Sequence, residues 1–129
     1  MPSPHSASSS DPAPARHKIN YVEFASSNPQ QSCDFFAALF GWHFELFGPD
    51  YIAFHGAGLA DSFNRDDLCS RSLSGRALAV FYSTDLDASL SLVTSHGGVI
   101  VKPVFAFPGG RRFHFTEPAG NEFAIWSDG

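Results

Sequence analysis

Apolar and polar positions alternate along Ile19–Ala25, with β-branched and aromatic side chains in the run, and that period predicts a strand. The period then changes. Asn28-Pro29 reads as a helix start, with Asn as N-cap and Pro at the first helical position. Cys33, Phe36, Leu39 and Phe40 follow at helical spacing, and Gly41 is the natural stop. Trp42–Phe47 and Tyr51–His55 are predicted strands separated by the turn Gly48-Pro49-Asp50, and Leu59–Asn64 is a further strand after Gly56-Ala57-Gly58. Residues 65–75 (RDDLCSRSLSG) break the pattern and read as a linker in which Arg65, Asp66 and Asp67, with the nearby Asp61, are solvated charge. The pattern then returns. Arg76–Ser83 is a strand, and Asp85 caps a helix to Ser95 with Leu86, Leu90 and Val93 on one stripe and Gly97-Gly98 at its end. Val99–Phe107 is a strand that Pro103 assigns to a sheet edge. After the turn Pro108-Gly109-Gly110, Arg111–Thr116 and Glu122–Trp126 form a hairpin through Pro118-Ala119-Gly120-Asn121.

The order β-α-β-β-β thus occurs twice, and the two copies match residue by residue. At an offset of 57, Phe24 meets Phe81, Asn28 meets Asp85 and Gly41 meets Gly98. At 59, Phe54-His55 meets Phe113-His114, and at 62, Ala57-Gly58 meets Ala119-Gly120. The matching predicts that His55 and His114 occupy equivalent places. Strand parity sorts the side chains further. Phe24, Phe81, Phe113 and Phe123 fall on the face expected under the helices. Tyr21, Glu23, Arg112, His114, Glu122, Ala124 and Trp126 fall on the other, which is a half-apolar surface with a few polar groups, as in small-molecule sites.

Composition narrows the classes. A chain of 129 residues is one domain, or two small modules sharing a core. Hydrophobic residues at 43%, with 14 Phe, require most of it to fold. Residues 1–17, rich in Pro and Ser, are expected to be a disordered tail. A net charge of −5 argues against nucleic acid as partner, and no apolar run is long enough for a membrane span. The two cysteines, Cys33 on the helix and Cys69 in the linker, make no disulfide framework, so a cytoplasmic location is the expectation. Apolar surface that includes Leu68 and Leu73 points to a homodimer.

Two βαβββ modules, the strand start INYVEF, the helix stop FGW and the hairpin FHFTEPAGNEFAIW resemble the vicinal oxygen chelate superfamily, which includes glyoxalase I, bleomycin-resistance proteins, fosfomycin-resistance enzymes and extradiol dioxygenases. GPDYIAFHGAG and FPGGRRFHF look like a small bacterial glyoxalase-like group. The resemblance implies an α+β fold in residues 18–129, module 1 being 18–64 and module 2 being 76–127, curling into a cleft. It also implies metal ligands at Tyr21, Ser62, Leu78 and Ala124. Leu and Ala carry no donor atom and Ser is a poor ligand, so no metal or other cofactor is expected there. A divalent metal at a displaced site built from His55, His114, Glu23 and Glu122 is the alternative.

The remaining chemistry admits more than one reading. A His–Glu pair among Glu23, His55, His114 and Glu122 can serve as general acid and base. Arg112 can fork onto a carboxylate or phosphate, pairing with Glu122 or Glu23 when no ligand is there. Tyr21, Tyr82 and Trp126 can stack on a flat ligand, although core filling suits Tyr82 better. Alternatively, the two histidines pack and Arg112–Glu122 is a cross-strand ion pair. Three functions stay open: a metal-independent small-molecule binding protein, a lyase or isomerase of the lactoylglutathione lyase type acting on a small carbonyl or glutathione adduct, and a non-catalytic interaction module. The first is preferred, because binding needs only the aromatic, half-polar surface.

Overall fold

A computed structural model describes residues 17, 21–58, 60–67, 69, 71 and 75–129. The tail expected over residues 1–17 lies outside the described residues except for His17, as do Ile19, Leu59, Leu68 and Leu73. The elements are β1 (Tyr21–Ser26), α1 (Pro29–Phe40), β2 (His43–Leu46), β3 (Tyr51–His55), β4 (Ala60–Arg65), β5 (Ala79–Tyr82), α2 (Leu86–Ser95), β6 (Val99–Phe107), β7 (Gly110–Thr116) and β8 (Glu122–Ser127). The chain divides into two compact units, Met1–Leu68 and Cys69–Gly129. Among the described residues each holds one helix and one four-stranded sheet, of order β1-β4-β3-β2 in the first and β5-β8-β7-β6 in the second. In both sheets the first strand runs parallel to the last, and the remaining pairs are antiparallel. This is an α+β fold of two βαβββ modules.

The helix ends follow from their sequences. Asn28 accepts from the Gln31 N–H at 3.2 Å, and Asp85 accepts from the Ala88 N–H at 3.0 Å. Gly41 closes α1 with φ 70°, a left-handed conformation that favours glycine. In the first unit, α1 lays Phe36 on Phe63 of β4 and on Trp42, with ring centroids 6.0 and 4.7 Å apart. In the second, Phe113, Phe115, Phe123 and Ile125 are buried in β7 and β8, and α2 packs onto β6, β7 and β8 with Leu86 and Val93 buried. The helix-side aromatic core is the one that strand parity predicts.

Three expectations need correction. Asp61 is buried rather than solvated, because it pairs in register with Val22 and Phe54 on the helix-facing side of its sheet. The strand expected from Arg76 starts at Ala79, since its parallel partner β8 opens only at Glu122 and Ala79 pairs with Phe123. His55 is not the counterpart of His114. Glu23 pairs with Ser62 and Val80 with Ala124, which confirms the offset of 62 for the last strands. Within those frames Ala53 opposes Ser62 and His114 opposes Ala124, so the residue equivalent to His114 is Ala53. The matched Phe-His pairs slip by two residues, which keeps their face and hides the error.

The turn between β7 and β8 is built around Glu117. Its buried carboxylate accepts from the Ala119 N–H at 3.0 Å, the Asn121 N–H at 3.1 Å and Asn121 Nδ2 at 2.7 Å. Glu117→Ala removes the acceptor for all three donors in a dry turn and is expected to cost about 2–3 kcal/mol. Urea unfolding measures it, and Glu117→Gln, which keeps a carbonyl oxygen, should recover part of the loss.

Candidate functional site

The non-helical face of the first sheet carries Tyr21 and Glu23 from β1, Ser62 and Asn64 from β4, and Tyr51 from β3. Tyr21 Oη lies 2.6 Å from Ser62 Oγ and 3.0 Å from Tyr51 Oη, and donates to Glu23 Oε2 at 3.2 Å. Ser62 Oγ donates to Asn64 Oδ1 at 2.7 Å, and Asn64 Nδ2 reaches Glu23 Oε2 at 3.3 Å. Each group therefore has a partner inside the sheet. Burial pushes the Tyr21 phenol above its ordinary 10.0, and Tyr51 and Glu23 add to the rise against an opposing bond from Ser62. The folded chain thus holds this proton more tightly than the unfolded chain. The contribution is complete below pH 10 and is lost as pH climbs from there through the raised folded value. The hydrogen bond to Asp128 raises Tyr82 as well, so an alkaline titration of phenolate absorbance should show two late tyrosines, of which Tyr21→Phe removes one. His55 sits on the same face, its Nε2 3.6 Å from Glu45 Oε1.

The corresponding face of the second sheet is more apolar. Arg112 stands opposite Trp126 on β8 and opposite Phe105 on β6. Its guanidinium carbon lies 5.3 Å from the centre of the Phe105 ring and 5.0 Å from that of Phe107. These are cation–π distances, and the attraction of the two rings holds the guanidinium in place. Trp126 meets Phe107 and Tyr82 edge-on, at 6.1 and 5.0 Å. Arg112, Trp126, Phe107, Val80 and Gly109 line an open pocket of about 200 Å³. Arg112 Nε is shielded from water and has no hydrogen-bond partner among the described residues.

Two residues further along β7, His114 Nδ1 lies 2.8 Å from Glu122 Oε2, and both side chains are buried. Arg71 approaches the other carboxylate oxygen, Nε to Oε1 3.5 Å. The structure thus brings together His114 with Glu122, and Arg112 with Trp126, while Tyr21 and Glu23 belong to the network of the first sheet. It overturns the pairing of Arg112 with Glu122. In register Arg112 faces Trp126, whereas Glu122 faces Thr116, four residues along the strand. Tyr82 is 53% exposed rather than core, and donates to Asp128 at 2.9 Å. Strand parity also assigns Val80 to this face, whereas sequence reasoning missed Phe105 and Phe107, whose only signal is their parity, and Arg71, which sits in the expected linker. The four positions implied as metal ligands do not suit a divalent ion. Tyr21 and Ser62 bond each other, and Leu78 and Ala124 offer no donor atom. Among the described residues, no three His, Cys, Asp or Glu side chains gather as ligands, and no helix is long and apolar enough to cross a membrane.

A family model described as the Glyoxalase/Bleomycin resistance protein/Dioxygenase superfamily matches residues 18–125. No curated protein matches in sequence. Solved structures share the fold at low identity. A glyoxalase/bleomycin resistance protein/dioxygenase family enzyme from Burkholderia phytofirmans PsJN is 14% identical with a TM-score of 0.70, covering 84% of this chain and 96% of that one. TioX from Micromonospora sp. ML1 is 20% identical with a TM-score of 0.62, over 84% and 96%. A lactoylglutathione lyase from Agrobacterium tumefaciens is 13% identical with a TM-score of 0.66, over 87% and 94%.

Proposed function

The chain belongs to the glyoxalase/bleomycin resistance protein/dioxygenase superfamily, and from that premise we propose that it is a metal-independent binding protein for a small planar acid. The ligand seats on the second sheet, over Trp126 and against Arg112. The observation that carries this reading is the Arg112 guanidinium held by Phe105 and Phe107 at the wall of a pocket it shares with Trp126, with no carboxylate partner among the described residues. A cation positioned by rings instead of a counter-charge is available to an incoming anion, and the apolar wall weakens competition from water. Trp126 supplies a face for a flat ring. Leu78 and Ala124, at positions where metal-dependent relatives would need donors, support binding without a metal.

Arg112→Ala removes a charge-assisted contact of about 1.5–3 kcal/mol, so affinity for a planar carboxylate such as benzoate should fall tenfold or more. An NMR titration reads the affinity and a thermal melt serves as control. Normal binding with an early melt would give Arg112 a purely structural role. A chelator should leave wild-type affinity unchanged. A lyase of the lactoylglutathione lyase type is the second reading, favoured by the buried His114–Glu122 pair. Turnover of the methylglyoxal–glutathione adduct by purified protein would establish it.

A further inference from the structure

Gly109 and Gly110 stand side by side where β6 turns into β7, and only one of them is required by the backbone. Gly110 has φ 147°, and a Cβ there would stand 2.1 Å from the Ser127 carbonyl oxygen, so no larger residue fits. Gly109 is not among the glycines with positive φ. Its backbone is therefore open to other residues, and the reason for a bare α-carbon lies outside the main chain.

What a side chain would meet is the wall of the pocket. A Cβ on Gly109 would stand 3.0 Å from Cε2 and Cζ of Phe107 and 3.8 Å from Cζ3 of Trp126. Carbon atoms rest against each other at about 3.5–4.0 Å, so Phe107 would have to give way. The contact is with the far end of the ring and not with backbone, so the ring can yield while the strands stay in place. Phe107 is also the nearer of the two rings that hold the guanidinium, at 5.0 Å against 5.3 Å for Phe105. It meets Trp126 edge-on at 6.1 Å. Gly109, Phe107, Arg112 and Trp126 line one pocket. A shift of this single ring therefore reaches both groups that face the ligand.

We propose that Gly109 is a positioning residue of the anion site. Its bare α-carbon lets Phe107 lie against the turn, and the ring in that place holds the Arg112 guanidinium at the pocket wall. The effect on binding rests on the Arg112–Trp126 reading, whereas the effect on Phe107 and Arg112 belongs to the chain without ligand.

Gly109→Ala in the full chain separates the two. In NMR spectra without ligand, ring currents from Phe105 and Phe107 should displace the Arg112 Cδ proton signals of the wild type, and in Gly109→Ala those signals should move. Affinity for benzoate, by NMR titration, should fall about threefold to tenfold, the effect of releasing one long side chain that binding must then order again. The thermal melt should hold or rise, because alanine at a compatible φ narrows the unfolded ensemble. In a Phe107→Ala background, where no ring meets the added methyl, Gly109→Ala should move the Arg112 signals no further. Unmoved Arg112 signals or an unchanged benzoate affinity in Gly109→Ala would overturn the proposal while leaving the Arg112 site standing. So would an early melt or a failure to fold, either of which would make Gly109 a requirement of the turn. Failure of benzoate to bind the wild type would overturn the site, and with it the role of Gly109 in binding.

Discussion

Phe36→Ala is expected to lower stability by about 3–5 kcal/mol, the range for removing a fully buried aromatic ring. The size follows from its neighbours. Phe36 is fully buried in α1 and meets Phe35 at 5.0 Å, Trp42 at 4.7 Å, and Phe40 and Phe63 at 6.0 Å each. Truncation therefore leaves a hole bounded by rings from the helix, from the turn after it and from β4. Rigid rings on three separate elements cannot all move in to fill it. Phe36→Leu refills part of the volume and should cost less than half as much. Urea unfolding followed by tryptophan fluorescence checks both, since Trp42 is in direct contact. A loss below 1 kcal/mol for the alanine variant would mean that this ring stack is not the core of the first unit.

The second large effect is expected at Glu122. Its carboxylate is buried against His114 and faces Arg71, so Glu122→Ala leaves the buried His114 Nδ1–H without its acceptor and removes the charge opposite Arg71. Breaking a buried pair in this way costs about 3–5 kcal/mol. Glu122→Gln keeps an oxygen for the His114 Nδ1–H and loses only the charge facing Arg71, so its loss should be visibly smaller. If the two variants melt together, Arg71 contributes most of the stabilisation and the imidazole contact contributes little.

Local chemistry made most of the fold legible. Asn28-Pro29, Gly41 and Asp85 each act within one turn of chain, and each stands where those rules place it. The alternation in β7 and β8 separated Phe113, Phe115 and Phe123 from Arg112 and His114 correctly. Register was the harder quantity, because it depends on how long each turn is when folded. The matching Phe-His pairs suggested an offset of 59, whereas hydrogen bonding in the sheets sets it at 61 for β3 and β7. An error of two residues preserves the face, so parity could not expose it. The candidate site was half legible. Arg112, His114, Glu122 and Trp126 were found as members of one face, but their partners were not. A strand pattern says which side chains share a surface. It does not say that Phe105 and Phe107 close on a guanidinium, or that Arg71, from a stretch with no periodicity, reaches Glu122. The buried role of Glu117 had a signal that went unread: an acidic residue just before Pro-Ala-Gly-Asn is placed to accept from the N–H groups of its own turn.

The slipped pairing of β6 bears on solubility. β6 is the longest strand among the described residues and forms an open edge of its sheet. It is also apolar at Val99, which is 61% exposed. A straight edge of that length would offer its free N–H and C=O groups to any extended chain, the first step of aggregation. Lys102 and Pro103 stand mid-strand, where the ladder loses its regular spacing. Proline has no N–H to offer, lysine resists being buried against a second copy, and the irregular backbone cannot keep step with a straight partner. The irregular middle of β6 thus guards the strand against fibre-like stacking.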